Sequence, residues 1–154
     1  MKKALKIALC IVAGLLALVM LVTVVAPFLF FRLMVILDDD RAPKEKIFSF
    51  VREQQEELEA CIASGNFSTL DSSGVVMDVH VGENHVEFYC GGQGFGPDTE
   101  YRGFYYSTTN DMTVLYPDIR LKPVGNGYTW SGDGDNSYYT EHICGHFFYY
   151  ELAF

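Results

Sequence analysis

The spacing of apolar residues divides the chain into two parts with different patterns. Residues 7–31 form an uninterrupted run without a charged side chain, and about 20 apolar residues are enough to cross the hydrocarbon core of a bilayer. From residue 44 onward, the apolar positions follow the periods of an amphipathic helix and then of strands. We therefore predict a basic tail with one transmembrane anchor at 1–37, a charged linker at 38–43 and a small domain at 44–154.

The basic residues around the apolar run predict its orientation. Lys2, Lys3 and Lys6 precede the run, and a short basic N-terminus usually stays cytoplasmic, so we expect the C-terminal domain outside the cell. A cleaved secretory signal is the alternative, but the run exceeds the usual apolar core of such signals, and its best cleavage position precedes Pro27. The pattern favours an uncleaved signal-anchor and a single-pass protein of the cell membrane.

The first element of the domain is predicted to be an amphipathic helix over residues 44–63. Gly65 follows as a natural C-terminal stop, because glycine tolerates the left-handed conformation that often ends helices. The opposite face of the helix is rich in glutamate, as expected for a solvated surface. The apolar residues that share one face, at intervals of four, seven and four positions, are Ile47, Val51, Leu58 and Ile62.

After a polar stretch the apolar period changes from that of a helix to that of a strand. Residues 75–81 and 85–90 predict a hairpin with one buried face. We expect an α+β domain in which the amphipathic helix packs on a curled antiparallel β-meander of about five or six strands. The further strands are predicted at 101–107, 128–131, 137–143 and 146–153, with an additional short strand at 112–116 and loops at 91–97 and 117–127.

The distribution of charge limits the partners. Residues 38–154 contain 20 acidic side chains against 7 lysines and arginines, a net charge of −13. Nucleic-acid affinity comes mostly from basic side chains that neutralise phosphates, so a nucleic-acid partner is disfavoured. Anionic lipid headgroups repel the domain for the same reason. We therefore expect contact with the lipid bilayer through residues 7–31.

Aromatic residues are concentrated in the predicted sheet. All ten tyrosines fall between residues 89 and 150, and adjacent aromatic pairs place one ring on each face of a strand. The outer rings are either a binding surface for a protein or carbohydrate partner or cross-strand pairs that stabilise an exposed face. The glycine-rich loop is a second candidate, because flexible loops often carry binding function. The predicted binding residues are Trp130, Tyr105, Tyr106, Tyr138, Tyr139, Gly94 and Phe95.

The cysteines permit at most one disulfide in the domain. Cys10 lies in the apolar run, which leaves three thiols in the aqueous part. Cys90 and Cys144 both fall in the predicted sheet or its turns and could pair outside the cell; an unpaired Cys90 would be a small buried hydrophobe. The chain has no C-x-x-C, so neither a thioredoxin-type site nor a zinc knuckle is indicated.

Two groups of side chains are candidates for a catalytic or metal-binding site. On a continuous strand, His142, Cys144 and His146 would share a face, but Gly145 predicts a turn that separates them. A catalytic thiol needs an electropositive setting to lower its pKa, and the domain is acidic. The polar face of the first hairpin has two imidazoles and two carboxylates, but no spacing signature of a metal site. These four residues are Asp78, His80, His85 and Glu87.

The sequence therefore predicts a membrane-anchored, extracytoplasmic binding or accessory module with no enzymatic activity, cofactor or metal. One alternative is a small thiol- or metal-dependent hydrolase that uses the residues just named. Another is a structural subunit of a membrane complex, since small residues in the anchor allow close helix contact. Those small residues are Ala13, Gly14 and Ala17.

Overall fold

The computed structural model describes residues 19–30, 42–95 and 98–153. The chain divides into two compact units, Met1–Asp38 and Asp39–Phe154. Most of the predicted anchor at 7–31 lies outside the described residues. Among those that are described, no helix combines the length and the apolar character needed to span a bilayer.

Within the first unit, residues 19–30 are helical and include a π-helix at Leu21–Val25. The hydroxyl of Thr23 donates a hydrogen bond to the carbonyl of Val19 at 2.7 Å, which satisfies this polar group within the helix. The large apolar side chains of the segment are exposed. They are Val19, Met20, Leu21, Val22, Val24, Val25, Phe28, Leu29 and Phe30.

The second unit begins with two consecutive helices, α1 at Lys44–Glu53 and α2 at Gln55–Ser64. The single predicted helix is thus divided at Gln54, whose backbone has φ −108° and ψ 17°. Hydrogen bonding continues through this residue: its amide donates to the carbonyl four residues earlier and its carbonyl accepts from the amide four residues later, both at 2.9 Å. The predicted stop at Gly65 is confirmed, with φ +68°.

The described residues form one seven-stranded sheet in the order β1-β2-β3-β7-β6-β5-β4, and every neighbouring pair is antiparallel. The predicted α+β class is confirmed, with more strands than expected. The strands are β1 Asp78–Val81, β2 His85–Phe95, β3 Asp98–Ser107, β4 Lys122–Val124, β5 Gly127–Ser131, β6 Ser137–Cys144 and β7 Phe147–Ala153.

The sheet departs from the predicted meander in four places. The last strand inserts between β3 and β6, so β3 never pairs with β4. The strand predicted at 112–116 is a series of turns, and Lys122–Val124 is a strand where a loop was expected. The glycine-rich stretch at 91–95 continues β2 past a register shift between Tyr89 and Gly92 rather than forming a loop. Local sequence does not determine these features because they depend on pairing between distant strands.

Each face of the sheet is covered differently. On one face, which we call the helix face, α1 and α2 bury Ile47, Val51 and Leu58 against the strands. On the other, the loop face, the connection at 108–121 packs its apolar side chains on a second cluster of rings. The helix-face side chains from the strands include Val86, Phe88, Phe104, Ile143, Phe147 and Tyr149. The buried loop-face rings are Tyr105, Tyr138, Phe148 and Tyr150.

Candidate functional site

The adjacent aromatic pairs do place one ring on each face of the sheet, as predicted. Tyr106 and Tyr139 lie half-buried at the edge of the helix-face core. Tyr105 and Tyr138 lie on the loop face, where they are 0% and 1% exposed. The expected open aromatic surface is therefore wrong for these two rings, because the connection at 108–121 folds over them.

A polar contact holds that connection on the sheet. The hydroxyl of Tyr105 donates to the carbonyl of Met112 at 2.7 Å and lies 2.9 Å from the hydroxyl of Thr140, which is itself fully buried. Burial raises the pKa of Tyr105 to about 12, with a smaller opposing effect from its hydrogen bond to Thr140. The tyrosine therefore stays protonated and can donate this bond over the physiological pH range.

Trp130, the remaining predicted aromatic residue, lines a small, partly open pocket beside the buried rings. The pocket has a volume of about 170 Å³ and lies between the connection at 108–121 and the sheet. The ring of Tyr116 meets that of Tyr138 edge-on at 5.0 Å and forms part of its wall. We call this the Trp130 pocket, and its main lining residues are Tyr116, Ile119, Trp130, Tyr138, Leu152 and Ala153.

A larger depression opens on the same face of the sheet, over the strands nearer β1. Its volume is about 330 Å³, within the range of small-ligand sites. Tyr89 and Tyr101 have ring centroids 6.0 Å apart with planes inclined by 58°. We call this the tyrosine groove, and it is lined by Asp78, His80, Glu87, Tyr89, Tyr101, Tyr150 and Leu152.

The strand register explains how these side chains meet. Tyr89 pairs with Asp78 on one side and with Gly103 on the other, and Gly103 pairs in turn with Tyr150. Paired residues of neighbouring strands point to the same face, so this row places two tyrosines and one carboxylate together. The row beside it pairs His80 with Glu87 and adds the second carboxylate.

Gly103 lies between two of the groove tyrosines, Tyr89 and Tyr150, in one row of the sheet, and we call this position the floor of the groove. A Cβ atom there would lie 2.2 Å from the carbonyl oxygen of Phe88 and 2.7 Å from the ring of Tyr150. The ring of Tyr150 therefore lies across the glycine, where any side chain would displace it. Burial, and after it the nearby carboxylate of Glu87, raise the pKa of Tyr150 well above its ordinary value.

The sequence did not identify the three groove tyrosines, although it placed Asp78, His80 and Glu87 on one polar face. A signal was present in Gly103, because glycine inside a strand often marks the close approach of another group. Identifying the group that approaches it required the register between β3 and β7.

The glycine-rich part of β2 lies outside the groove lining. Gly94 is exposed and pairs with Thr99 in the hairpin between β2 and β3. Phe95 pairs through its backbone with Asp98, while its side chain falls outside the described part of the structure. The structure thus separates these predicted binding residues from the aromatic ones.

The polar face of the first hairpin does not assemble a metal site in the structure. Asp78, His80 and Glu87 line the groove, whereas His85 packs its ring beside Gly82, where a Cβ atom would lie 2.4 Å from that ring. In the described ranges, no three His, Cys, Asp or Glu side chains converge as metal ligands.

The residues around Cys144 are separated by the turn that Gly145 predicts, with φ +52°. One ring nitrogen of His142 lies 3.0 Å from the carbonyl oxygen of Gly145, and one of His146 lies 2.8 Å from that of Ser107. Burial raises the pKa of the Cys144 thiol; Arg52 opposes this and Glu59 adds to it. Both imidazoles thus bond to backbone atoms. The raised pKa of Cys144 disfavours its thiolate and makes this thiol a poorer nucleophile than an exposed cysteine.

The Cys90–Cys144 disulfide does not form in this structure, where Cys61, Cys90 and Cys144 are free thiols. Strands β3 and β7 lie between β2, which carries Cys90, and β6, which ends at Cys144. Neighbouring strands are about 4.8 Å apart, so the two Cα atoms are separated by about three such spacings. A disulfide requires Cα atoms within about 7 Å. Cys90 is instead a fully buried hydrophobe, and burial raises the pKa of its thiol.

One charged cluster lies at the edge of the helix face. The ammonium of Lys44 contacts the carboxylate of Glu141 at 2.5 Å, and the hydroxyl of Tyr139 donates to the same carboxylate oxygen at 2.6 Å. The Lys44 nitrogen also lies 5.4, 4.8 and 5.2 Å from the ring centroids of Phe48, Tyr139 and Tyr149. These contacts fix the start of α1 on the sheet.

Comparison of the chain with protein-family models, with curated proteins and with solved structures finds no match.

Proposed function

We propose that this protein is a membrane-anchored binding module without enzymatic activity, with its domain outside the cell and the tyrosine groove as its ligand site. The observation that carries the proposal is the groove itself. It joins three tyrosines, two carboxylates and an imidazole in a cavity of about 330 Å³. Such a combination of apolar area with a few directed polar groups is characteristic of ligand sites.

The framework of the groove supports a binding role. Its side chains come from neighbouring strands of one sheet, and Tyr150 is fixed over Gly103 by close contact. Rigid tyrosines provide a large contact area at low cost in conformational entropy. Binding residues on strands are also held more precisely than residues on loops.

The proposed anchor rests on the sequence and on one structural observation. The run at 7–31 is free of charge. In its described part, the four consecutive residues at 19–22 all expose apolar side chains, and four residues complete a full turn of a helix. A helix that is apolar all round is suited to contact with acyl chains. The basic residues before the run favour a cytoplasmic N-terminus.

The absence of enzymatic activity is proposed from the positions of the histidines and the thiol. His142 and His146 each bond to a backbone carbonyl, and the raised pKa of Cys144 disfavours its thiolate. No nucleophile and base are paired in this cluster, as covalent catalysis requires.

Site-directed labelling tests the topology. Because Cys144 is a half-exposed free thiol, both labelling variants are made in a Cys144→Ser background. Glu83 is exposed in the turn between β1 and β2, so we expect a membrane-impermeant maleimide to label the Glu83→Cys variant in intact cells. The matched Lys3→Cys variant should be labelled only after permeabilisation. Both proteins should remain in the membrane fraction after alkaline washing. Labelling of Lys3→Cys alone in intact cells, or release of the chain by the wash, would contradict the proposal.

Photo-cross-linking tests the groove. A benzophenone amino acid is placed at Tyr101, which is exposed at the groove rim, or at Glu56, which is exposed on α2. In living cells, we expect illumination to give a defined adduct from position 101 and none from position 56. Identical adducts from both positions, or no adduct from position 101, would exclude the groove as the ligand site.

A further inference from the structure

We infer that the ligand of the tyrosine groove is an extended peptide segment of a partner protein, with a lysine or arginine in the groove and an apolar side chain in the Trp130 pocket. The two side chains would be three or four residues apart. This inference rests on the proposed function and specifies the chemistry and the spacing of the ligand.

The charge of the groove favours a cation. Asp78 and Glu87 line it, and among the described residues no lysine or arginine does. The faces of tyrosine rings also attract cations, with about 0.5–2 kcal/mol per contact depending on solvation. A neutral sugar would desolvate the carboxylates without neutralising them, which costs free energy. The net charge of −13 over residues 38–154 adds long-range attraction for a basic segment.

The neighbouring pocket favours an apolar side chain. Trp130, Ile119 and Tyr116 line a partly open pocket of about 170 Å³, which has room for one aliphatic or aromatic side chain. Leu152 lines both this pocket and the groove. The two cavities therefore adjoin on the loop face, and one chain segment can occupy both.

A continuous row of paired residues sets the spacing. Tyr101 pairs with Leu152, Leu152 with Tyr138, and Tyr138 with Trp130, so the row crosses the sheet from the groove to the pocket. The groove centres near β2 and β3 and the pocket near β6, a separation of two to three strand spacings. At about 4.8 Å per strand this is roughly 12 Å, and an extended chain rises about 3.3 Å per residue. The two side chains of the ligand must therefore be three or four positions apart.

Short peptides test this chemistry with the full chain in nanodiscs of phosphatidylcholine. The probe is the acetylated, amidated peptide Arg-Gly-Ser-Gly-Leu. The controls replace arginine with glutamate, replace leucine with glycine, or place arginine and leucine side by side. We expect the probe to bind at least tenfold more tightly than each control by calorimetry.

The chain has a single tryptophan, Trp130, so its fluorescence reports directly on the pocket. We expect the leucine peptide to shift the emission of Trp130 to shorter wavelength and the glycine control to leave it unchanged. Equal affinity for all four peptides, or no binding of any, would overturn the inference.

Two variants separate this inference from the proposed function. The double variant Asp78→Asn, Glu87→Gln should weaken binding of the arginine probe by about tenfold or more, which corresponds to about 1.4 kcal/mol. The matched variant Glu56→Gln, Glu57→Gln removes the same charge from the exposed face of α2 and should leave binding within twofold. Equal effects would indicate attraction by net charge alone and reject the cation site. A cross-link from Tyr101 without selective peptide binding would support the groove as the ligand site and reject only the peptide as its ligand.

Discussion

The helix face and the loop face of the sheet are both aromatic, yet they are covered from solvent to different extents. On the helix face, two regular helices lay apolar side chains over the strands, and Phe88, Phe104 and Phe147 are fully buried. On the loop face, one irregular connection covers the rings near β6 and β7 and leaves the strands near β1 open as the tyrosine groove. The comparison shows that the element covering a sheet decides whether its aromatic residues become core or surface.

The two faces also differ in their polar content. On the loop face, the buried hydroxyls of Tyr105 and Thr140 bond to each other, while the buried hydroxyl of Tyr138 has no hydrogen-bond partner among the described residues. Each buried hydroxyl requires a partner or costs free energy. The loop face is consequently held by specific hydrogen bonds, whereas the helix face depends mainly on apolar burial. Variants on each face should separate these two sources of stability.

The largest effect is expected for Phe104→Ala on the helix face. Its ring stacks on Phe88 at 4.5 Å and lies 6.2 Å from the rings of both Phe50 and Phe147. Truncating a buried phenylalanine costs about 3–5 kcal/mol because a cavity remains. We expect a decrease of that size in the free energy of unfolding, measured by urea denaturation followed by circular dichroism.

The loop-face counterpart of this variant is Phe148→Ala. The ring of Phe148 stacks on Tyr105 at 5.3 Å, but the irregular connection nearby can move to fill the space. We therefore expect a smaller loss than for Phe104→Ala. A loss as large as that of Phe104→Ala would show that the irregular connection is as rigid a cover as the helices.

The second effect concerns the floor of the groove. Gly103→Ala would place a methyl group 2.2 Å from the carbonyl oxygen of Phe88 and against the ring of Tyr150. Overpacking of this kind costs about 1–3 kcal/mol, and displacement of Tyr150 should also abolish the cross-link from Tyr101. Gly65→Ala is the comparison variant. A Cβ atom at that position would have nothing within 4 Å, but the backbone has φ +68°. We therefore expect this substitution to cost about 1 kcal/mol through backbone conformation alone.

An unfolding free energy for Gly103→Ala that equals the wild-type value would mean that the strands separate to accept the methyl group. The floor would then be adaptable, and the groove could not owe its shape to the glycine. Gly65→Ala should leave the cross-link unchanged in either case, because it lies after α2 and away from the groove lining.

The third effect tests the polar attachment of the connection. Tyr105→Phe removes the hydrogen bond to the carbonyl of Met112 and leaves that acceptor to find another partner, which costs about 1–2 kcal/mol. We expect faster proteolysis between residues 108 and 121 in native conditions, with the rest of the domain protected. Tyr106→Phe on the helix face is the matched control, and its rate of cleavage should equal that of the wild type.

Part of this architecture follows from local sequence. The periods of apolar residues predicted the α+β class, the burial of Ile47, Val51 and Leu58, and the strand alternation that sorts aromatic pairs onto two faces. The helix stop at Gly65 followed from the conformational freedom of glycine. These features depend on neighbours within a few residues, and the sequence contains that information.

Other features depend on contacts between distant segments. The insertion of β7 between β3 and β6 juxtaposes Gly103 with Tyr150, and neither residue signals the other locally. Within the connection at 108–121, the sequence predicted a strand at 112–116 instead of the observed turns, so the role of this connection as a cover was not predicted. For this reason the sequence identified Trp130 as a candidate but missed Tyr89 and Tyr101, whose proximity depends on the register.

The smallest effect concerns the charge pair of Lys44 and Glu141 at the edge of the helix face. Burial lowers the pKa of Lys44, but its hydrogen bonds to Glu141 and Tyr139 outweigh this and raise the pKa overall. Burial raises the pKa of Glu141, but the hydrogen bonds from Lys44 and Tyr139 outweigh it, so the pKa is lowered overall. Both shifts mean that the folded state favours the charged forms.

The pair should therefore stabilise the domain only between the two titrations. Its contribution is lost as the pH falls through the lowered pKa of Glu141, when the carboxylate is protonated, and as the pH rises through the raised pKa of Lys44, when the ammonium is deprotonated. A double-mutant cycle with Lys44→Met and Glu141→Gln should give a coupling of about 0.5–1 kcal/mol at neutral pH. The coupling should vanish at both extremes, measured by thermal unfolding across the pH range. A loss for Lys44→Met without any coupling to Glu141→Gln at neutral pH would assign the attachment of α1 to the packing of Lys44 against Phe48 and Tyr149 rather than to its ion pair, and the helix face would then depend on apolar burial up to its edge.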